Sequence, residues 1–159
     1  MRPVIIRVLC LTAPGAALAL LGLTGVTAPA GAAGVAGTGL PPVTVYVASS
    51  ISGTVTPIRV ATNRPGRAIN THGANTLTAT PDGRTVYVGE LDGLIPISTA
   101  TDRPGKAIKF DNLAGMVVTP DSRTVYVVRF AGTVTPISTA TNKAGGPIYV
   151  GKGSFVVTG

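Results

Sequence analysis

Few side chains in this sequence could carry chemistry, and their number already restricts what they could do. There is one histidine (His72), one cysteine (Cys10) and six carboxylates (Asp82, Glu90, Asp92, Asp102, Asp111 and Asp121) in 159 residues. One histidine leaves no multi-histidine metal site within a chain, and one cysteine leaves neither an intramolecular disulfide nor a Cys-based zinc cluster. Glu90, Asp92 and Asp111 offer hard oxygens of the kind calcium takes, but their spacing matches no calcium-binding loop, so they read as solvated turn residues. His72 could act as a general base only with a partner that the sequence does not place beside it. Asp82 and Asp121 look like paired carboxylates until their contexts are compared: Thr80-Pro81-Asp82-Gly83-Arg84 and Thr119-Pro120-Asp121-Ser122-Arg123 are the same turn written twice. The expectation is therefore no catalytic residue, no cofactor and no metal.

Elements that position such residues emerge from internal repetition. Thr44-Val45-Tyr46-Val47, Thr85-Val86-Tyr87-Val88 and Thr124-Val125-Tyr126-Val127 recur at steps of 41 and 39, and Pro57-Ile58, Pro96-Ile97 and Pro136-Ile137 at steps of 39 and 40. Ala61-Thr62-Asn63-Arg64-Pro65-Gly66 matches Ala100-Thr101-Asp102-Arg103-Pro104-Gly105 and, more loosely, Ala140-Thr141-Asn142-Lys143-Ala144-Gly145. The units run over about 43–80, 81–119 and 120–159. Each is rich in Val, Ile, Thr and Tyr, punctuated by Pro-Asp-Gly chemistry, with no helical period. In the second unit the strands fall at about Thr76–Thr80, Thr85–Gly89, Leu94–Thr99 and Ala107–Phe110, with Arg103-Pro104-Gly105 turning the last hairpin. The fold class is all-β: four-stranded repeats of a β-propeller, covered on both faces and therefore apolar without clean alternation.

Taken together, the Pro-Asp-Gly-Arg-Thr-Val-Tyr-Val and Pro-Ile-Ser-Thr-Ala-Thr signatures resemble the YVTN family of bacterial β-propeller repeats over residues 43–159. Ser122 in place of glycine and Ala144 in place of proline depart from the pattern and bear on local turn geometry. The resemblance implies a propeller blade for each repeat. Relatives of similar fold include lactonases and quinone- or metal-dependent oxidoreductases, so a fragment or subunit of a propeller enzyme is the rival expectation, and a structural surface-layer repeat is a third.

Three repeats are fewer than the four to eight blades of a closed propeller. The first copy begins at its second strand, and Phe155-Val156-Val157-Thr158 matches the first strand Met116-Val117-Val118-Thr119. Two arrangements resolve this: a homodimer that completes a six-bladed ring by sharing strands, or a chain that is one part of a longer propeller. The break at Gly159, inside a turn motif, favours the second.

Ahead of the repeats, Arg2 and Arg7 precede an apolar stretch (Val8–Ala19, Leu20–Val26) and the small-residue sites Ala28-Pro29-Ala30 and Ala30-Gly31-Ala32, the three parts of a secretory signal over 1–33. A Gly/Pro linker covers 34–42. No Lys, Arg, Asp, Glu or His occurs from Val8 through Ile58. Pro14 and the Gly/Ala content disfavour an uncleaved anchor, the one route to the membrane. Cys10 follows bulky Leu9, which disfavours a lipid-modified cysteine. Beyond residue 33 the chain keeps 11 basic and 6 acidic side chains, net +5, spread over the repeats without a stacking ladder of aromatics, so nucleic acid is not expected. An anionic envelope polymer or a protein is the expected partner.

The spacing from repeat proline to repeat isoleucine is 12 in all three units (57–69, 96–108, 136–148), whereas from tyrosine to proline it is 11, 9 and 10. The variable loops are Ser49–Gly53, Glu90–Gly93 and Arg129–Gly132. The connections between units (Asn70–Asn75, Asp111–Ala114, Gly151–Ser154) also differ, and both sets should emerge at one end of the scaffold. Loops held by a rigid frame are where binding residues concentrate. The binding-face candidates are His72, Asn75, Glu90, Asp92, Asp111, Asn112, Arg129, Phe130 and Lys152, with Arg129-Phe130 the clearest partner contact. The sequence thus reads as an exported, non-catalytic propeller-repeat protein, secreted or envelope-associated, that acts as a binding module.

Overall fold

The computed structural model describes residues 6–12, as backbone alone, 43–90 and 92–151. The rest of the proposed export signal, the 34–42 linker, Leu91, Lys152 and Phe155–Thr158 lie outside the described residues. Fifteen strands in three antiparallel sheets make up this part, with no helix.

The first blade runs β1 (Ile6–Thr12), β2 (Val43–Ser49) and β3 (Thr54–Arg59), with β4 (Arg64–Pro65) and β5 (Ile69–Asn70) both on the outer edge of β3. β1 comes from the segment that reads as an export signal and pairs with β2 over seven residues, from Ile6 opposite Ser49 to Thr12 opposite Val43. The second blade is β6 (Thr76–Ala79), β7 (Thr85–Gly89) and β8 (Gly93–Ser98), edged by β9 (Arg103–Pro104) and β10 (Ile108–Lys109). The third is β11 (Leu113–Val118), β12 (Thr124–Arg129) and β13 (Thr133–Ser138), edged by β14 (Lys143–Ala144) and β15 (Ile148–Tyr149). The inner strand β6 touches both β1 and β11, so the three sheets stand side by side.

The fourth strand of the second unit lies inside the expected Ala107–Phe110, as β10, but a second short strand, β9, precedes it on the same edge, because a proline sits mid-strand in β3, β8 and β13. Pro96 has no N–H to offer a neighbour. The outer ladder therefore pairs Ile97 with Pro104 and Ser98 with Arg103, lifts off, and resumes with Leu94 opposite Ile108 and Gly93 opposite Lys109. The Pro96 carbonyl is instead met by the N–H of Gly105 at 2.7 Å, and Pro57 and Pro136 by Gly66 and Gly145 in the same way. One expectation needs correction: the hairpin turns earlier than Arg103-Pro104-Gly105, since Arg103–Pro104 is itself β9. Its corner is Asp102, at φ 52, matched by Asn63 (φ 51) and Asn142 (φ 53), a conformation that Asn and Asp tolerate better than most residues.

Each blade has two apolar faces, and alternation along the strands assigns them. Tyr46, Ala48, Val55 and Ile69 of blade 1 pack with Ala74 and with Val86, Val88, Ile95 and Ile97 of blade 2. Tyr87 and Leu94, on the other face of blade 2, pack with Phe110, Met116, Val125, Val127 and Ile137. Val86, Val88, Ile97, Val125, Val127 and Ile137 are fully buried. Gly89 stands where the other repeats have Ala48 and Val128; a Cβ there would lie 2.5 Å from Thr76 Cγ2 and 3.2 Å from Met116 Cε, space already filled.

A hydrogen bond locks each apolar seam. The Tyr46 hydroxyl donates to Asp102 Oδ1 at 2.7 Å, and the Tyr87 hydroxyl to Asn142 Oδ1 at 2.8 Å. The repeat's tyrosine thus reaches the corner residue of the next blade. Across its own sheet each tyrosine lies opposite the strand proline: Tyr46 with Pro57, Tyr87 with Pro96, Tyr126 with Pro136.

The repeated turns brace the end at which these corners lie, where Thr99 N donates to the Arg84 carbonyl at 3.0 Å and Thr139 N to the Arg123 carbonyl at 2.9 Å. Thr80 Oγ1 donates to Asp82 Oδ1 at 2.5 Å and accepts from Thr85 N at 3.1 Å, while Arg84 N donates to Asp82 Oδ1 at 3.1 Å. Thr119, Asp121, Arg123 and Thr124 repeat this. Ser122 adopts φ 61, close to the φ 71 of Gly83. In return its Oγ accepts the N–H of Asp82 from the neighbouring blade at 2.9 Å, a contact glycine could not make.

Two outcomes follow. Ser122→Ala keeps the left-handed backbone and loses the inter-blade bond, so urea unfolding should show a loss of about 1 kcal/mol, with Ser122→Gly milder. Burial, above all, and the bond to Asp102 raise the Tyr46 hydroxyl above its ordinary range, and burial raises Tyr87 as well. A folded-state value above that of the unfolded chain means stabilisation that is complete below about pH 10 and lost as pH rises beyond it. Thermal midpoints should fall above about pH 10, and the double variant Tyr46→Phe/Tyr87→Phe, weaker at pH 7, should show a flatter fall.

Candidate functional site

At the variable end, each blade's loop is tied by backbone bonds to the connection that follows. Thr71 N and Thr71 Oγ1 donate to the Gly53 carbonyl at 2.8 and 3.1 Å. Phe110 N donates to Asp92 O at 3.2 Å, and Val150 N to Gly132 O at 2.9 Å. The two loop sets do share one end. Gly53 is required there: its φ is 62, and a Cβ would lie 3.2 Å from the His72 carbonyl carbon.

The candidate residues fall into two groups. His72, Glu90 and Asp92 surround the passage from blade 1 to blade 2. His72 is exposed at φ 57, its N–H held by Asn70 Oδ1 at 3.1 Å. Glu90 is half-buried, and its Oε1 is enclosed without a hydrogen-bond partner among the described residues. Burial raises its carboxyl above the usual range; the charge of His72 pulls it down, and that of Asp92 pushes it up. Asn75 is exposed beside them, its N–H spent on the Gly89 carbonyl at 2.9 Å. The second group belongs to blade 3. Arg129 Nε donates to the Asp111 carbonyl at 3.0 Å, and its Nη2 lies 3.6 Å from Asp111 Oδ2. Phe130 N donates to the Asn112 carbonyl at 3.0 Å, with Asn112 at φ 55. No side-chain hydrogen bond or ion pair joins the two groups among the described residues, and no three metal-ligating side chains converge there. Asp82 and Asp121 remain in their turns at the far end.

One feature of this end escapes a reading based on polar residues. Phe130 is 60% exposed, and so is Ile51 at 64%, at the tip of the corresponding loop of blade 1. The signal was present in the spacing. Ile51, Leu91 and Phe130 each stand two residues before the glycine that opens the third strand (Gly53, Gly93, Gly132). Large apolar side chains thus stand in water at equivalent loop tips of blades 1 and 3.

A different surface follows the outer rim. Arg59, Arg67 and Arg103 line a cleft of about 580 Å³ between blades 1 and 2, with Asn70 and Asp102. Lys106, Thr141, Asn142 and Lys143 line its counterpart between blades 2 and 3, about 390 Å³. These clefts are cationic and repeat with the blades.

Comparison with solved structures places the architecture. The chain is similar to hydrazine synthase of Kuenenia stuttgartiensis at 22% identity and a TM-score of 0.64, over 69% of this chain and 33% of that one. It is similar to U3-55K at 11% and 0.61, over 67% and 36%, and to the dihydro-heme d1 dehydrogenase NirN, solved with DHE, at 11% and 0.63, over 70% and 26%. A crystal structure of RRP9 WD40 repeats matches comparably. These are β-blades. The fold is that of a β-propeller, and the chain spans about a third of the proteins it matches. No protein-family model matches the sequence and no curated protein does, so the YVTN resemblance rests on the repeated motifs alone.

The geometry around Glu90 sets a pH test. A carboxyl raised by folding destabilises the fold once it ionises, so its contribution is most favourable below the unfolded value of about 4.3 and declines as pH rises through the folded value. Glu90→Gln should raise the thermal midpoint at pH 7 and leave it unchanged near pH 3. An equal shift at both would mean that burial of the charge is not what Glu90 contributes.

Proposed function

We propose that this chain is an exported, non-catalytic propeller-repeat protein of the YVTN type that acts as a binding module at the cell envelope, its contact face being the loop end that carries Ile51 and Phe130. The observation that supports this most directly is the pair of exposed apolar tips at equivalent positions of blades 1 and 3, beside an Arg129–Asp111 pair that holds its loop. Exposed aromatic and aliphatic anchors ringed by polar groups are what a protein partner buries first. An enzymatic reading has less support: the one histidine is exposed, the six carboxylates do not converge, and the enzymes among the structural neighbours share only the fold at 22% identity or less. Arg2, Arg7 and the apolar stretch after them support export.

A second reading is favoured by the rim clefts. Arg59, Arg67 and Arg103, with Lys106 and Lys143 one blade on, form a repeating cationic track that would attract an anionic envelope polymer through charge alone.

Fractionation of producing cells tests both. The wild-type chain should appear outside the cytoplasm in the envelope fraction. Ile51→Ser/Phe130→Ser should be exported and folded, since both side chains are already exposed, yet be at least tenfold depleted from the envelope and enriched in the medium. Retention of that variant, with release by high salt, would move the contact to the rim. A wild-type chain that stays in the cytoplasm would contradict export.

A further inference from the structure

We infer that two copies of this chain associate head to tail, the exposed face of blade 3 packing on the exposed face of blade 1 to close a six-bladed ring. The pattern that points there occurs twice inside the chain. A blade presents a tyrosine, an apolar residue of its third strand and the repeat isoleucine toward the next blade: Tyr46, Val55 and Ile69, then Tyr87, Leu94 and Ile108. The receiving face presents two valines and an isoleucine: Val86, Val88 and Ile97, then Val125, Val127 and Ile137. The tyrosine hydroxyl then bonds the corner residue of the receiving blade, Asp102 or Asn142.

Among the described residues both halves of a third such seam are present and unmatched. Blade 3 carries Tyr126, Val134 and Ile148 in the donor positions; Tyr126 and Val134 are half-buried and Ile148 is 51% exposed. Blade 1 carries Val45, Val47 and Ile58 in the receiving positions, each half-buried, although their equivalents in blades 2 and 3 are 0% exposed. Asn63 stands at the corner of blade 1 with φ 51, the same backbone as Asp102 and Asn142. Among the described residues neither the Tyr126 hydroxyl nor the Asn63 side chain has a hydrogen-bond partner. A partner that fits must offer a corner Asx and a Val/Val/Ile face on one side and a tyrosine face on the other. A second copy offers both. The contact is heterologous, so it either closes or propagates. Two copies give six blades, within the four to eight that close a propeller, and leave no apolar face in water.

The experiment is light-scattering mass of the full-length chain across a concentration series, with three variants. The expected result is a mass of two chains. Tyr126→Phe and Asn63→Gly, which keeps the left-handed corner, should each raise the dissociation constant about tenfold or more, because the ring contains two such bonds. Their combination should cost less than the product of the two, since they remove the same bond. Ile148→Arg, at a side chain already exposed in the single chain, should give a monomer with an unchanged circular dichroism spectrum, which keeps the test independent of folding. A single-chain mass at every concentration, an open-ended polymer, or a dimer indifferent to all three variants would overturn the proposal.

Discussion

Everything in this fold depends on a sheet being dry on both faces. A single blade of short strands cannot hide its Val, Ile and Leu side chains, and each blade here is stabilised only by the blade beside it. The bond from a strand tyrosine to the corner Asx of the neighbour makes that packing directional. It lets a large aromatic ring be buried without orphaning its hydroxyl, and it fixes how far one sheet is offset from the next. At Asp102 and Asn142 the corner Asx therefore has two tasks, tolerating a left-handed backbone and accepting a hydrogen bond from outside its own blade.

The two ends of the scaffold divide labour. At one end, Thr80, Asp82, Thr119 and Asp121 spend their polar atoms on local turns, and Ser122 ties one turn to the next blade. At the other, the loops vary in length, a carboxyl is held half-buried, and apolar side chains stand in water. The titratable groups of the open end fall in two clusters, His72 with Glu90 and Asp92, and Asp111 with Arg129. The cationic clefts on the rim are a property of neither end. They arise because Arg103/Lys143 and Arg67/Lys106 recur with the blade, so any charge attraction they exert is spread along the outer edge.

Much of the architecture was legible in the residues. The three-fold recurrence of Thr-Val-Tyr-Val and Pro-Ile fixed the blade count and the all-β class, because identical local sequences cannot bury their faces except against copies of themselves. The split of the outer strand was also written there, in a proline at mid-strand, but its effect shows only once Pro96 is seen facing the outer ladder. Register across blades is a different matter. That Tyr46 meets Asp102, 56 residues away, follows from how sheets stack and not from any local pattern. The same holds for Ser122, a departure from the repeat whose reason lies in the blade next to it. Ile51 carries no polar group that would mark it in the sequence as a site residue, and only its exposure in the folded chain brings it out. The pairing of Ile6–Thr12 with the first blade had no local signal either: the segment reads as an export signal, and its strand character depends on the open edge of Val43–Ser49.

The interdependence of the blades is tested most directly by native-state hydrogen exchange. The amides of Val86, Val88, Ile95 and Ile97 in the middle blade should exchange only through an opening that also exposes Tyr46, Val55, Val125 and Val127, with one common free energy and one common urea dependence. Three distinct free energies, with the outer blades opening while the middle one stays protected, would contradict the dependence of each sheet on its neighbour.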